Sequence, residues 1–155
     1  MKTKFDLFEE TIAIVCLSSM TILTFVNVVA RYVFSASLSF SDEITTNLFV
    51  LLTLVGAAIA TKRGAHLGLT LITDQLTDQS RKIVTIAGNL LAIVFCAVLF
   101  YYGVLMAINE YRLEQLTAGM QLPEWIFGSF VPFGALILMM RFLESLSKSM
   151  KEEVN

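Results

Sequence analysis

Residues 83–109 read IVTIAGNLLAIVFCAVLFYYGVLMAIN, which is 27 residues in a row without Asp, Glu, Lys, Arg or His. Three more charge-free runs cover residues 11–30, 44–61 and 125–140 and contain 20, 18 and 16 residues. A helix needs roughly 20 predominantly apolar residues to cross the hydrocarbon layer of a bilayer. The four runs therefore predict helices that cross a membrane.

The composition indicates that lipid is the main solvent of the chain. Of its 155 residues, 56% are apolar and 15% are charged, against about 45–50% and 25% in soluble domains. A soluble bundle would show a polar stripe on each helix, and residues 12–30 and 90–105 show none. The short fourth run gains length if Glu124 and Arg141 extend toward the lipid headgroups. We predict an all-α integral membrane protein with one domain over residues 1–155 and four transmembrane helices over approximately 5–31, 41–63, 79–110 and 123–146.

Two stretches predict short amphipathic segments at the membrane surface. Phe5, Leu7 and Phe8 share an apolar face at the start of the first helix, and residues 67–76 place leucine and isoleucine on another. The first charge-free run is longer than the core of a signal peptide and follows several acidic residues. We therefore expect the first helix to be an uncleaved anchor.

The lysines and arginines predict the orientation. The two terminal segments and the loop between the second and third helices hold nine of them, and the other two loops hold two. Basic residues concentrate on the cytoplasmic side of membrane proteins. We therefore expect both termini in the cytoplasm. The net charge of −2 and the lack of a basic cluster exclude a positively charged surface that would bind nucleic acid.

The charge-free runs also exclude several kinds of chemistry. A small proton-coupled exporter needs a carboxylate inside the membrane, and these runs contain none. A haem-binding subunit needs axial ligands, and His66 is the single histidine. Cys16 and Cys96 lie singly in two different helices, where they are expected to fill space. The sequence predicts no enzyme, cofactor or metal site, although a stand-alone exporter and the membrane anchor of a redox complex remain as alternatives.

Two kinds of residue can mediate contacts between these helices: amide side chains, which form hydrogen bonds, and small residues, which allow close packing. Asn27, Asn47 and Asn89 can bond to neighbouring helices. Gly56 and Ala60 form a small-xxx-small face on the second helix, which predicts close packing against a helix of this chain or of another.

The fourth helix carries its own start and break signals. Pro123 suits a first helical turn and Trp125 suits the membrane interface. Pro132 has no N–H for the Gly128 carbonyl, which predicts a bend. Tyr101 and Tyr102 are expected at the outer interface, with the third helix continuing beyond it.

The connection between the first two helices is the most specific local feature. Arg31 ends the first helix, and Ser39 or Ser41 is expected to cap the second, with Asp42 and Glu43 in its first turn. The loop is short enough for Arg31 to reach one of these carboxylates. The alternative is an ordinary charged helix end that reaches the headgroups.

Several motifs in order resemble the small membrane subunit of tripartite ATP-independent periplasmic (TRAP) transporters, the Q-type or DctQ-like subunit. The resemblance covers nearly the whole chain and rests on residues 27–34, 39–43, 48–50 and 56–60, His66 with Asp74, and Pro123 with Trp125 and Pro132. It implies a non-catalytic scaffold beside a large many-helix subunit that carries substrate and sodium. It further implies a periplasmic substrate-binding protein and organic-acid substrates such as C4-dicarboxylates or sialic acid.

Ten residues are candidates for partner contact or structural roles under this resemblance. They are Arg31, Ser39, Asp42, Glu43, Gly56, Ala60, His66, Arg112, Pro123 and Trp125. The outward charges Glu110, Glu114 and Glu124 are expected to join them in contacts to the large subunit or the binding protein.

Overall fold

The computed structural model describes residues 4–36, 38–62 and 78–151. The described residues form five helices: α1 (Lys4–Phe34), α2 (Ser39–Lys62), α3 (Asp78–Arg112), α4 (Trp125–Gly128) and α5 (Phe130–Lys151). Helices α4 and α5 together make one apolar span, so the described part of the chain contains four spans long and apolar enough to cross a membrane. The predicted fold class of four transmembrane helices is confirmed.

The fourth span, predicted over approximately 123–146 with a bend at Pro132, starts at Trp125 and is interrupted shortly before that proline. Pro123 forms an isolated bridge with Leu116, so it belongs to the preceding loop and the helix begins at Trp125. The helix is then interrupted at Ser129. The interruption lies next to Gly128. Pro132 has no N–H to donate to the Gly128 carbonyl, so the regular helical hydrogen bond is missing at this point.

The helices pack in the order α1, α2, α5, α3. Helix α1 packs along α2, α2 along α5, and α5 along α3. The shared core contains eight buried apolar residues: Cys16, Leu51, Val55, Ala58, Cys96, Ile137, Leu138 and Phe142. Both cysteines are free thiols in this core. Because α5 lies between two neighbours, its span is the most enclosed of the four.

Two glycines permit the closest helix approaches. A Cβ built on Gly134 would lie 2.7 Å from Leu54 Cβ, and one built on Gly103 would lie 2.9 Å from Pro132 Cδ. These distances are shorter than van der Waals contact, so the α2–α5 and α5–α3 contacts require glycine. A Cβ on Gly56 would meet nothing within 4 Å. The predicted small-residue face of α2 therefore does not make its close contact within the described residues.

Helix α3 ends level with its neighbours where the loop of residues 113–124 begins. Gly103 faces Pro132, Glu110 faces Gly128, and the rings of Tyr111 and Trp125 lie 5.9 Å apart in an edge-to-face pair. We call this the loop end of the molecule and the opposite end the terminal end. Tyr101 and Tyr102 lie on α3 before this end, and the continuation of the helix beyond the outer membrane interface stays a prediction.

The first turns of α1 continue directly into its span. Leu7 and Phe8 are exposed while Asp6 and Glu9 are buried. Leu7 and Phe8 of the predicted apolar face therefore point outward, whereas Phe5 packs against the core beside the inward-facing acids. The second predicted amphipathic segment, residues 67–76, lies outside the described residues.

Candidate functional site

Five ionisable side chains meet at the terminal end and form an ion cluster of Asp6, Glu9, Lys62, Arg141 and Glu144. Arg141 Nη2 donates to Asp6 Oδ1 at 2.7 Å and to Glu9 Oε2 at 2.6 Å, and its Nε donates to Glu9 Oε1 at 2.9 Å. Its Nη1 donates to Glu144 Oε2 at 2.7 Å. Asp6 also pairs with Lys62. One guanidinium thus joins α1 to α5, and Asp6 extends the link to α2.

The centre of this ion cluster is closed to solvent. Glu9 is 1% exposed and Arg141 is 4% exposed. The Phe5 ring covers the guanidinium, with its centroid 4.8 Å from Arg141 Cζ. The prediction that Arg141 extends toward the lipid headgroups is wrong, because three carboxylates satisfy it inside the protein.

The spacing of the acidic residues contains a signal for this arrangement. Asp6 and Glu9 are three residues apart on a helix and share a face with Cys16, which lies in the core. Glu144 follows Arg141 at the same spacing. Acids on a core-facing stripe require a buried cation. The sequence offers such a cation in Arg141, but local spacing does not pair residues 132 positions apart.

At the loop end, Asn27 organises the turn between α1 and α2. Its Nδ2 donates to Asp42 Oδ1 at 3.1 Å and its Oδ1 accepts the Leu38 N–H at 3.0 Å. The Ser41 hydroxyl is buried and donates to the Leu23 carbonyl at 3.1 Å. Ser41 therefore ties α2 to α1 instead of capping its own helix.

Glu43 anchors the second loop at this end. Its Oε1 accepts the Ala118 N–H at 2.9 Å and its Oε2 accepts the Gly119 N–H at 3.1 Å. A Cβ on Gly119 would lie 3.1 Å from Phe40 N, so the loop tip sits tightly against α2. A carboxylate that accepts two adjacent amide N–H groups makes strong, charge-assisted bonds. Glu43 thus holds the loop of residues 113–124 in place.

Bonds within this loop complete its structure. The Thr117 N–H donates to the Leu122 carbonyl at 2.8 Å, and the Leu122 N–H donates to Thr117 Oγ1 at 3.2 Å. The Glu124 N–H donates to the Gln115 carbonyl at 2.9 Å. The loop is therefore an ordered hairpin-like element that is held by bonds within itself.

Replacing Glu43 with alanine is expected to release the loop tip. Two charge-assisted bonds are lost, and because both are exposed to solvent the expected cost is only about 1–2 kcal/mol. Hydrogen exchange at the Ala118 and Gly119 amides should accelerate about tenfold. Glu114→Ala, which removes an exposed acid from the same loop, is the control. Unchanged exchange in Glu43→Ala would show that the anchor contributes nothing.

The other predicted residues are spread over the molecule. Arg31 lies exposed in the last turn of α1, while Asp42 and Glu43 have the partners described above. Ser39 begins α2, and Arg112 ends α3 in an exposed position. Gly56 and Ala60 are half-buried on α2, and His66 lies outside the described residues. The structure thus pairs Asp42 with Asn27 of α1, and it pairs Glu43 with Ala118 and Gly119, two loop residues that sequence reasoning did not select.

Glu110 is buried, in contrast to its prediction as an outward charge. It is 5% exposed, and its Oε2 has no hydrogen-bond partner in the structure. A Cβ on Gly128 would overlap this oxygen. Glycine at position 128 therefore makes room for the side chain where α3 meets α4.

An apolar groove of about 420 Å³ opens beside this contact at the loop end. Its walls come from α3 on one side and from α4 and α5 on the other. The lining residues are Val104, Ala107, Ile108, Tyr111, Trp125, Ser129 and Pro132. Within the described residues no group of three His, Cys, Asp or Glu side chains has a geometry that would hold a metal ion.

Comparisons with known proteins agree with this arrangement. The DctQ component of tripartite ATP-independent periplasmic transporters matches residues 20–152. A TRAP transporter small permease protein of Haemophilus influenzae is 36% identical over 83% of this chain and 74% of its own length. The ectoine TRAP transporter small permease protein TeaB of Halomonas elongata is 27% identical over 82% of this chain and 66% of its own length.

A further relative is much longer. The sialic acid TRAP transporter permease protein SiaT of Haemophilus influenzae is 26% identical over 80% of this chain, which corresponds to 20% of that protein. The family match covers most of the chain and both ends of the four-span structure. The chain therefore belongs to the DctQ family of TRAP transporter small permease subunits, which are non-catalytic multi-pass proteins of the inner membrane.

Proposed function

We propose that this chain is the static scaffold subunit of a sodium-coupled TRAP importer of organic acids. In this proposal the chain lies beside a large many-helix permease subunit, and that large subunit binds the substrate and sodium. The small chain itself binds no substrate. A periplasmic substrate-binding protein delivers the organic acid, of the C4-dicarboxylate or sialic acid type.

The observation that carries this proposal is how the ion cluster at the terminal end and the Glu43 anchor at the loop end are used. Arg141 is saturated by Asp6, Glu9 and Glu144, and Glu43 is bonded to loop amides. Groups that bind and release an ion during transport must exchange partners. A guanidinium enclosed by three carboxylates across two helices holds those helices in one arrangement. This supports a fixed scaffold in preference to a moving transport element.

The relatives support placing substrate recognition in another component. TeaB and SiaT are named for ectoine and sialic acid, and this chain is 27% and 26% identical to them. Equal likeness to proteins named for different substrates is expected if the matched segment does not contact substrate. In SiaT that segment is only 20% of the polypeptide, so one chain there joins it to further permease sequence.

The proposed orientation places both termini in the cytoplasm and the loop end in the periplasm. It rests on the distribution of lysine and arginine, nine against two. Two reporters fused after residue 155 test this orientation. A reporter that is active only in the cytoplasm should be active there, and a reporter that is active only in the periplasm should be inactive. The reverse pattern would invert the proposal.

Co-purification tests the subunit assignment. The tagged chain, expressed with its large permease subunit and extracted in a mild detergent, should elute with that subunit in equal amounts. A chain that elutes alone and by itself catalyses proton-driven flux in vesicles would instead be a stand-alone exporter.

A further inference from the structure

The groove at the loop end continues into an exposed apolar loop surface. Tyr111 and Trp125 line the groove, and they stand two and three residues from Leu113 and Leu122. Leu113 is 67% exposed, Leu116 52% and Leu122 44%. The groove and these three leucines thus form one surface, which we call the loop-end surface.

The loop leucines are held in their exposed positions. Glu43 anchors the tip of this loop, and Thr117 bonds to Leu122 on the opposite side. The Leu116–Pro123 bridge joins the two arms. A loop that is fixed in this way cannot fold its leucines inward to remove them from water, so their burial requires another molecule.

The position of the loop-end surface relative to the membrane selects its occupant. The groove lies within the apolar spans Ile83–Arg112 and Trp125–Ser147, and the leucines lie on the connection between them. A lipid chain would cover only the groove, and a soluble periplasmic protein would cover only the loop. A membrane helix followed by its own extramembrane segment covers both.

We propose that the loop-end surface binds a membrane helix of the large permease subunit, with that helix seated in the groove and its following segment on the leucines. This inference rests on the proposed function, because it presupposes a large subunit. The SiaT relative supports that occupant, since the matched segment there continues into a longer permease polypeptide. Small residues in the groove, Ala107 and Ser129, allow the close approach that helices in membranes require.

Site-specific photo-crosslinking tests the contact. The photoreactive residue p-benzoylphenylalanine replaces Ile108 in the groove or Leu116 on the loop, in membranes that contain the large subunit. Leu91, which is 76% exposed and lies outside the groove near the middle of the same helix, is the matched control. We expect light-dependent crosslinks to the large subunit, identified by mass spectrometry, at 108 and 116 and none at 91.

Crosslinks from 108 and 116 that reach only phospholipid or only the binding protein would overturn the proposal, as would crosslinks to the large subunit from 91 alone. Unmodified chain is first shown to co-purify with the large subunit. Failure of that step contradicts the proposed function, whereas co-purification with crosslinks elsewhere contradicts only the location of the contact.

Filling the groove gives a second, independent test. Ala107→Trp should reduce recovery of the large subunit about tenfold or more, while the thermal unfolding of the isolated chain stays unchanged. Leu91→Trp should leave recovery unchanged. Full recovery with Ala107→Trp would show that the groove is not occupied by the large subunit.

Discussion

Replacing Arg141 with methionine is expected to be the most destabilising single change in this chain. It would leave Glu9, which is 1% exposed, without the cation that it contacts through both carboxylate oxygens. Removing one partner from a buried ion pair costs about 3–5 kcal/mol, because the remaining charge stays in a medium of low polarity. Thermal unfolding of the purified chain in detergent should show a Tm lower by many degrees, or little folded protein.

Two variants distinguish the buried charge from a general loss of packing. The double variant Glu9→Leu with Arg141→Met removes both charges and should recover a large part of the lost stability. Glu144→Gln alters a partner whose side chain is 44% exposed and should change Tm little. If Arg141→Met were as stable as the unmodified chain, the ion cluster would not be what holds α1 to α5.

The second large effect is expected at Gly134. A Cβ at this position would lie 2.7 Å from both Cβ and Cδ1 of Leu54, and Leu54 Cβ is fixed to the backbone of α2. Gly134→Ala should therefore force α2 and α5 apart. Overpacking of this kind costs about 1–3 kcal/mol. The Tm of the isolated chain is the measurement, because it reports on these two helices without a partner.

Gly56→Ala is the matched control for this prediction. It makes the same chemical change within a helix, and the added methyl would meet nothing within 4 Å. Its Tm should be unchanged or slightly raised, since alanine favours helix more than glycine does. Equal loss of stability in Gly56→Ala and Gly134→Ala would mean that the close α2–α5 approach does not determine the packing.

The number and approximate extent of the spans were predictable from the sequence because lipid imposes a simple constraint. Backbone groups in hydrocarbon must bond to each other, so each charge-free run long enough to cross becomes a helix. The break near Pro132 was also predictable, because a missing N–H is a local property. The residue at which the fourth span begins was not predictable, because Pro123 pairs with Leu116 and this pairing depends on how the loop folds.

The contacts between distant residues were not predictable. Glu9 and Arg141 are 132 positions apart, and Glu43 and Ala118 are 75 apart. Helices that are apolar on every side do not indicate which neighbour each face will meet. The sequence accordingly predicts Arg141 at the lipid headgroups and Glu110 among the outward charges, whereas both are buried. Their burial depends on which helices pack together, and glycines at 103, 128 and 134 decide that packing.

Reconstituted transport tests the central claim most directly. Vesicles with a sodium gradient receive the large permease subunit and the substrate-binding protein, with or without this chain, and uptake of labelled succinate, sialic acid and ectoine is measured. The scaffold proposal predicts uptake of one of these substrates only when this chain is present, and no uptake in vesicles that contain this chain alone. Equal uptake with and without it would contradict the proposal.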